Sequence, residues 1–180
     1  EYHKRNGVLD GKWTRWYGNG EKAEEGLYEN GKRNGKWSGW YLSNKKNFSC
    51  VYEQGKRAGN YIEWNSKGKK VKEIYYNDGK RIKEYLVIKD GNGFMEINKM
   101  HGKLDGSWSR WYADGKKEEE GAYKKGTKVG IWSKYTLNGI VIEEWNFDNR
   151  GRNLYEVTYY DNGTVKEYKD YFSKTVQGYN

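Results

Sequence analysis

Short runs in which rings alternate with charged residues, each closed by a glycine, fill this chain, and a single period governs them. Trp13, Arg15 and Tyr17 share one parity, with Trp16 on the other. Period-2 alternation predicts strands, here with aromatic side chains on both faces of the sheet. The glycines that interrupt each run argue against helix, where each would cost about 1 kcal/mol. Set against itself, the sequence repeats every 24 residues, the signature of a repeat architecture. Seven blocks are expected, at 6–29, 30–53, 54–77, 78–100, 101–124, 125–148 and 149–172, within a single array over 1–180.

Three columns of rings define a block. The first holds Trp13, Trp37, Tyr61, Tyr85, Trp108 and Trp132; the second, three residues on, includes Trp16, Trp40, Trp64 and Trp111; the late column includes Tyr28, Tyr52, Tyr76, Tyr123 and Phe147. Glycine turns of two kinds separate them. Asn19-Gly20, Asp114-Gly115, Asn138-Gly139 and Asn162-Gly163 read as two-residue hairpin turns in which both central residues take positive φ. The second kind begins at Asn30-Gly31, Gln54-Gly55 and Asp78-Gly79. Each block is then a hairpin with strands of about five to seven residues. The expected fold class is all-β: an elongated, single, twisted antiparallel sheet of stacked β-hairpin repeats. At ~4.8 Å per strand, seven blocks would form a rod roughly 65 to 70 Å long. The fourth block is one residue short and has Tyr85 and Ile88 where Trp is usual, so weaker stacking and a bend are expected there. Glu1 to Arg5 read as the last strand of an earlier block, and a start at Glu1 predicts a processed or trimmed N-terminus.

Composition sharpens this picture. Leu, Ile, Val and Phe supply only 28 of 180 residues against a net charge of +9, a balance typical of disordered chains. Nine Trp and eighteen Tyr reverse that expectation and predict thin aromatic layers in place of a thick aliphatic core. The lone Cys50 excludes an internal disulfide and a Cys-based zinc site. No apolar run approaches the ~20 residues of a membrane-spanning helix.

The pattern G-x-W-x-x-W/Y-Y-x-N-G-K, then acidic residues, then Y-x-N-G-K-x-x-G, as in Gly11 to Gly35 and Gly106 to Gly130, resembles the MORN repeat. More narrowly it resembles the bacterial variant found in antitoxin-like proteins, and the resemblance covers about residues 6–172. It implies an elongated sheet of stacked hairpins that serves as a scaffold for proteins or membrane phospholipids, without catalytic residues.

Candidate chemistry lies in charge. Gly31-Lys32-Arg33, Gly55-Lys56-Arg57 and Gly79-Lys80-Arg81 repeat one basic triplet, which in-register blocks would set along one edge at ~10 Å intervals. Such residues either contact an anionic partner or are solvated turn residues that blunt strand ends. The expected partner-binding residues are Lys32, Arg33, Lys56, Arg57, Lys80 and Arg81 as exposed charge contacts, with Trp40 and Trp64 as aromatic anchors. The acidic columns, Glu24 and Glu25, Glu73, Glu119 and Glu120, Glu143 and Glu144, and Glu167, are expected to pair with nearby Lys and Arg, since a ribbon offers no cleft to make them catalytic. His3 and His101 are isolated surface residues and Cys50 a buried or half-buried thiol. The expected function is a non-enzymatic repeat scaffold binding a protein partner through an extended aromatic and basic sheet surface, with no cofactor, metal or catalytic site. Alternatives are a peripheral module for anionic phospholipid and, on the resemblance alone, an antitoxin-like protein masking an enzyme. Nucleic acid is disfavoured because opposite charges alternate along the same strands. Exposed end strands also permit end-to-end association.

Overall fold

The structure, a computed structural model, describes residues 1–172 and the strand backbone of Thr175–Gly178. The predicted array's positions 173, 174, 179 and 180 lie outside the described residues. The chain divides into two compact units, Glu1–Tyr85 and Leu86–Asn180, the division falling in the Trp-free fourth block. Unit 1 holds β1 (Tyr2–Arg5), β2 (Val8–Trp16), β3 (Lys22–Glu29), β4 (Lys32–Trp40), β5 (Lys46–Glu53), β6 (Lys56–Trp64) and β7 (Lys70–Asn77). The strand β8 (Lys80–Asp90) runs across the division. Unit 2 continues with β9 (Gly93–Met100), β10 (Lys103–Trp111), β11 (Lys117–Lys124), β12 (Thr127–Tyr135), β13 (Val141–Phe147), β14 (Asn153–Tyr159), β15 (Val165–Asp170) and β16 (Thr175–Gly178). The fold is all-β, and strand order in the antiparallel sheet is chain order, as consecutive hairpins require.

Most strands are longer than expected: β2, β4, β6, β10 and β12 each run nine residues. The reason is a glycine that bulges a strand instead of ending it. Gly35 takes φ +67 inside β4, and the β3–β4 register slips beside it, from Glu25↔Ser38 to Leu27↔Asn34.

The two kinds of turn exchange the roles predicted for them. At Asn30-Gly31, Gln54-Gly55 and Asp78-Gly79 both residues have positive φ, 48/77, 49/88 and 47/76, so these are the tight two-residue hairpin turns. At Asn19-Gly20 only the glycine does. There Gly20 N–H donates to Tyr17 O at 3.0 Å and Tyr17 N–H to Glu21 O at 2.7 Å, closing a wider loop. The Asn19 side chain accepts the Glu21 N–H at 3.1 Å, a local bond that holds the turn without left-handed backbone at Asn19. Tyr17 therefore opens a loop rather than extending β2.

A single Trp centres each unit. Trp37 and Trp132 are 0% exposed although each lies on a face of a single sheet. Neighbouring side chains supply the cover.

Candidate binding face

On one face, the ring face, Trp13 lies 5.4 Å from Trp37 between centroids, and Tyr28 and Tyr52 meet Trp37 edge-on at 5.2 and 6.1 Å. Edge-on contact places positive ring edges against the negative indole face. Gly26, paired with Trp13 on β3, makes room: a Cβ there would overlap the Trp37 ring. Unit 2 repeats the arrangement with Trp108 and Tyr123 at 5.1 Å each from Trp132, and with Gly121 beneath it.

Arg33 closes this layer. Its guanidinium carbon lies 3.9 Å from the Trp37 centroid, and Nη2 reaches Glu24 at 3.3 Å. Burial works against its charge, but the hydroxyls of Tyr28 and Tyr52 together with Glu24 outweigh it and hold Arg33 firmly protonated. Arg57 repeats the motif over Tyr61 at 4.6 Å, donating to Tyr76 Oη at 3.0 Å. Cys50, opposite Trp37 on β5, is buried; that burial pushes its thiol up against the pull of Arg57 and Arg33, keeping it a neutral filler of the layer.

The eight predicted contact residues thus scatter. Lys32, Lys56, Lys80 and Arg81 are exposed, Lys56 meeting Asp78 at 2.7 Å and Arg81 meeting Glu84 at 3.6 Å. Arg33 and Arg57, expected to be exposed, are half-buried in the ring face, because alternation sends the residue after each turn lysine to the side of Trp37 and Tyr61. Trp40 and Trp64 are half-buried on the opposite face, and their backbone carbonyls accept the Tyr17 and Tyr41 hydroxyls at 2.6 and 2.7 Å. His3 and His101 are exposed, His101 with φ 48 in a tight turn.

That opposite face, the lysine face, carries a cation beside the second-column rings Trp16, Trp40, Trp64 and Trp111. Lys22 lies 6.0 Å from Trp16 and 5.4 Å from Trp40, and Lys46 lies 5.9 Å from Trp64. Lys22 binds Glu25 at 2.6 Å, Lys70 binds Glu73 at 2.5 Å and, in unit 2, Lys117 binds Glu120 at 2.6 Å. The acidic columns pair with Lys or Arg except at Glu144, which accepts the Tyr155 hydroxyl at 3.3 Å; these three pairs run along a strand and others, such as Lys134 with Glu143 at 3.5 Å, run across strands. Exposed Lys12 and Lys36, with Leu27 at 48% and Tyr75 at 45% exposure, complete the open surface of unit 1. Lys12 and Lys36 escape a motif-based reading because they belong to no turn; their opposite parity to Trp13 and Trp37 is the signal in the sequence that marks them.

A two-stranded hairpin repeated in chain order, with rings and arginines packed on one face and lysines exposed on the other, defines a repeat scaffold. The MORN repeat variant matches at residues 9–30, 104–125 and 128–149, segments found in both units, which supports a MORN-repeat protein. No curated protein matches the chain. Among solved structures, it is similar at 9% identity to the chain in the crystal structure of a point mutant of S. aureus TarM in complex with Fondaparinux, alpha-GlcNAc-glycerol and UDP. That match covers 80% of this chain and 19% of the other, with a TM-score of 0.26, a likeness too slight to bear on function.

Proposed function

We propose that this repeat scaffold is non-enzymatic and binds an acidic surface of a protein partner through unit 1. The observation that carries this reading is a charge asymmetry between the units. Residues 1–85 hold 19 Lys and Arg against 11 Asp and Glu, a net +8; residues 86–180 hold 15 against 14, a net +1. Lys12, Lys32 and Lys36 are exposed and have no ion pair among the described residues, so their charge is available to a partner. Exposed Leu27 and Tyr75 add apolar contact, which favours a folded protein surface over a purely ionic ligand. Complementary charge mainly speeds and selects the encounter, and salt weakens it.

Cross-linked capture tests this with the whole chain, using Lys12→Glu/Lys32→Glu/Lys36→Glu in unit 1 and Lys89→Glu/Lys103→Glu/Lys125→Glu in unit 2. Both triples change net charge equally. The expected result is one discrete protein captured by wild type and by the unit 2 triple at low salt, and lost at high salt and with the unit 1 triple. Equal capture by both triples overturns the reading, as does sedimentation with anionic-lipid vesicles that only the unit 1 triple abolishes.

A further inference from the structure

The lysine face repeats one ion pair, and among the described residues Lys46 is the one lysine of that column without its carboxylate. Lys22, Lys70 and Lys117 each hold a carboxylate three residues on, at 2.5 to 2.6 Å, beside an aromatic ring. Lys46 occupies the same place one period after Lys22 and one before Lys70, and it has its ring in Trp64. The carboxylate is missing: position 49 is Ser. Lys46 is exposed and has no carboxylate partner among the described residues. Ser49, with Ser38 directly across from it on β4, puts a small hydroxyl where its counterparts Glu25 and Glu73 carry a carboxylate. Lys36 follows on the same face of β4, two residues before Ser38.

We infer that this gap is the seat of a partner's carboxylate: an Asp or Glu of the acidic segment takes the place that Glu25 and Glu73 fill in the flanking blocks. The inference rests on the protein-binding reading above and names the chemistry of the contact. One ammonium, two hydroxyls and a ring edge suit a singly charged, planar anion. A doubly charged phosphate would meet a single free ammonium there, because Lys22 and Lys70 are already held by Glu25 and Glu73, two strands from Ser49 on either side. With Lys36 about 7 Å along β4 from Ser38, two alternate residues of an extended segment would present acids to both sites. Lys46 gains in the complex the charge-assisted hydrogen bond that Lys22 and Lys70 already have.

The decisive variant is Ser49→Glu, which supplies the missing carboxylate from within the chain and has folded precedents at Glu25 and Glu73. Binding of a short labelled peptide alternating Glu and Val is followed by fluorescence anisotropy at low salt, with its Gln counterpart as control. Ser49→Glu and Lys46→Gln are each expected to weaken the Glu peptide roughly tenfold, while Ser49→Ala and Lys22→Gln stay within about twofold. The melting temperature of Ser49→Glu at or above wild type shows that the fold is intact; should it fall, Lys46→Gln carries the test. Wild-type affinity in Ser49→Glu and Lys46→Gln overturns the seat, as does equal affinity of wild type for the Gln peptide. If those variants bind normally while the unit 1 triple still loses its captured partner, the seat falls and the protein-binding reading stands. If the triple also retains that partner, both fall.

Discussion

Units 1 and 2 build the same layer 95 residues apart and finish it differently. Trp13, Gly26, Tyr28 and Trp37 in unit 1 correspond to Trp108, Gly121, Tyr123 and Trp132 in unit 2. In both, the indole Nε1 donates to a carbonyl on the preceding strand at 3.2 Å, that of Leu27 or Ala122. The cation over the buried ring changes: Arg33 at 3.9 Å in unit 1, Lys128 at 3.7 Å in unit 2, each tied to a glutamate, Glu24 at 3.3 Å or Glu119 at 3.6 Å. Beyond that cation stands Tyr52 in unit 1 and Phe147 in unit 2. Opposite the buried Trp stands Cys50 in one unit and Trp145 in the other. The packing geometry is therefore a fixed requirement of the repeat. Which cation caps it and what charge the unit presents are free to differ, and that freedom is where two similar units acquire different exposed surfaces.

If the layer is the shared requirement, removing its centre should damage both units alike. Trp37→Ala and Trp132→Ala are each expected to cost about 3 to 5 kcal/mol, the range for deleting a fully buried large ring. Urea unfolding measures the loss, and hydrogen exchange should show lost protection concentrated in the unit that carries the substitution, since repeat stability is a sum of neighbour terms. A large loss in one unit and a surface-like loss in the other would break the equivalence.

The capping cation should have a smaller effect and an asymmetric one. Arg33→Lys surrenders planar stacking on Trp37 and the hydroxyls of Tyr28 and Tyr52, with an expected cost of about 1 kcal/mol. Lys128→Arg in unit 2 should gain less than Arg33 provides in unit 1, because Tyr123 matches Tyr28 but Phe147 offers no hydroxyl in the place of Tyr52. Adding Phe147→Tyr to Lys128→Arg should then stabilise unit 2 beyond the sum of the two single changes. A double-mutant cycle with no coupling would show that the ring alone, and not its hydroxyl, selects the cation.

How legible these features are depends on whether local spacing or the neighbouring strand decides them. Strand type, hairpin order and the phase of Trp13, Trp37, Trp108 and Trp132 follow from the 24-residue period, which resumes after the shortened fourth block. The turn exchange is hidden because Asn-Gly suits either turn; loop length decides, and the extra residue at Gly18-Asn19-Gly20 is read only once the strand ends are fixed. Arg33 and Arg57 depart from expectation because the basic triplet does not behave as one exposed unit. Parity puts Arg33 with Trp37, and a bulge at Gly35 preserves that match. The break at Lys46 is open to inspection as Lys-x-x-Glu at Lys22, Lys70 and Lys117 against Lys46-x-x-Ser49. Its meaning comes only with the geometry, which shows that the other three are true ion pairs.

The smallest expected difference between the units is alkaline. In unit 2, burial and then the Glu120 carboxylate, which accepts the Tyr135 hydroxyl, push that phenol from its ordinary value of 10 up to about 12. In unit 1, burial and Glu63 at 2.9 Å push Tyr61 higher still. Both are raised in the fold, so each contribution is fully present below pH 10. It declines above that as the unfolded chain loses its phenolic proton first, and for Tyr135 the loss is complete near pH 12. Other tyrosines and lysines titrate in the same window, so the contrast is read by difference. Tyr135→Phe and Tyr61→Phe should each flatten the fall in urea midpoint between about pH 9 and 11 relative to wild type. Glu120→Gln should flatten the fall as well, by removing the carboxylate that raises Tyr135. A wild-type slope in Tyr135→Phe would mean that the hydroxyl is as free to ionise in the fold as in the unfolded chain, and would leave the Tyr135–Glu120 contact without energetic weight.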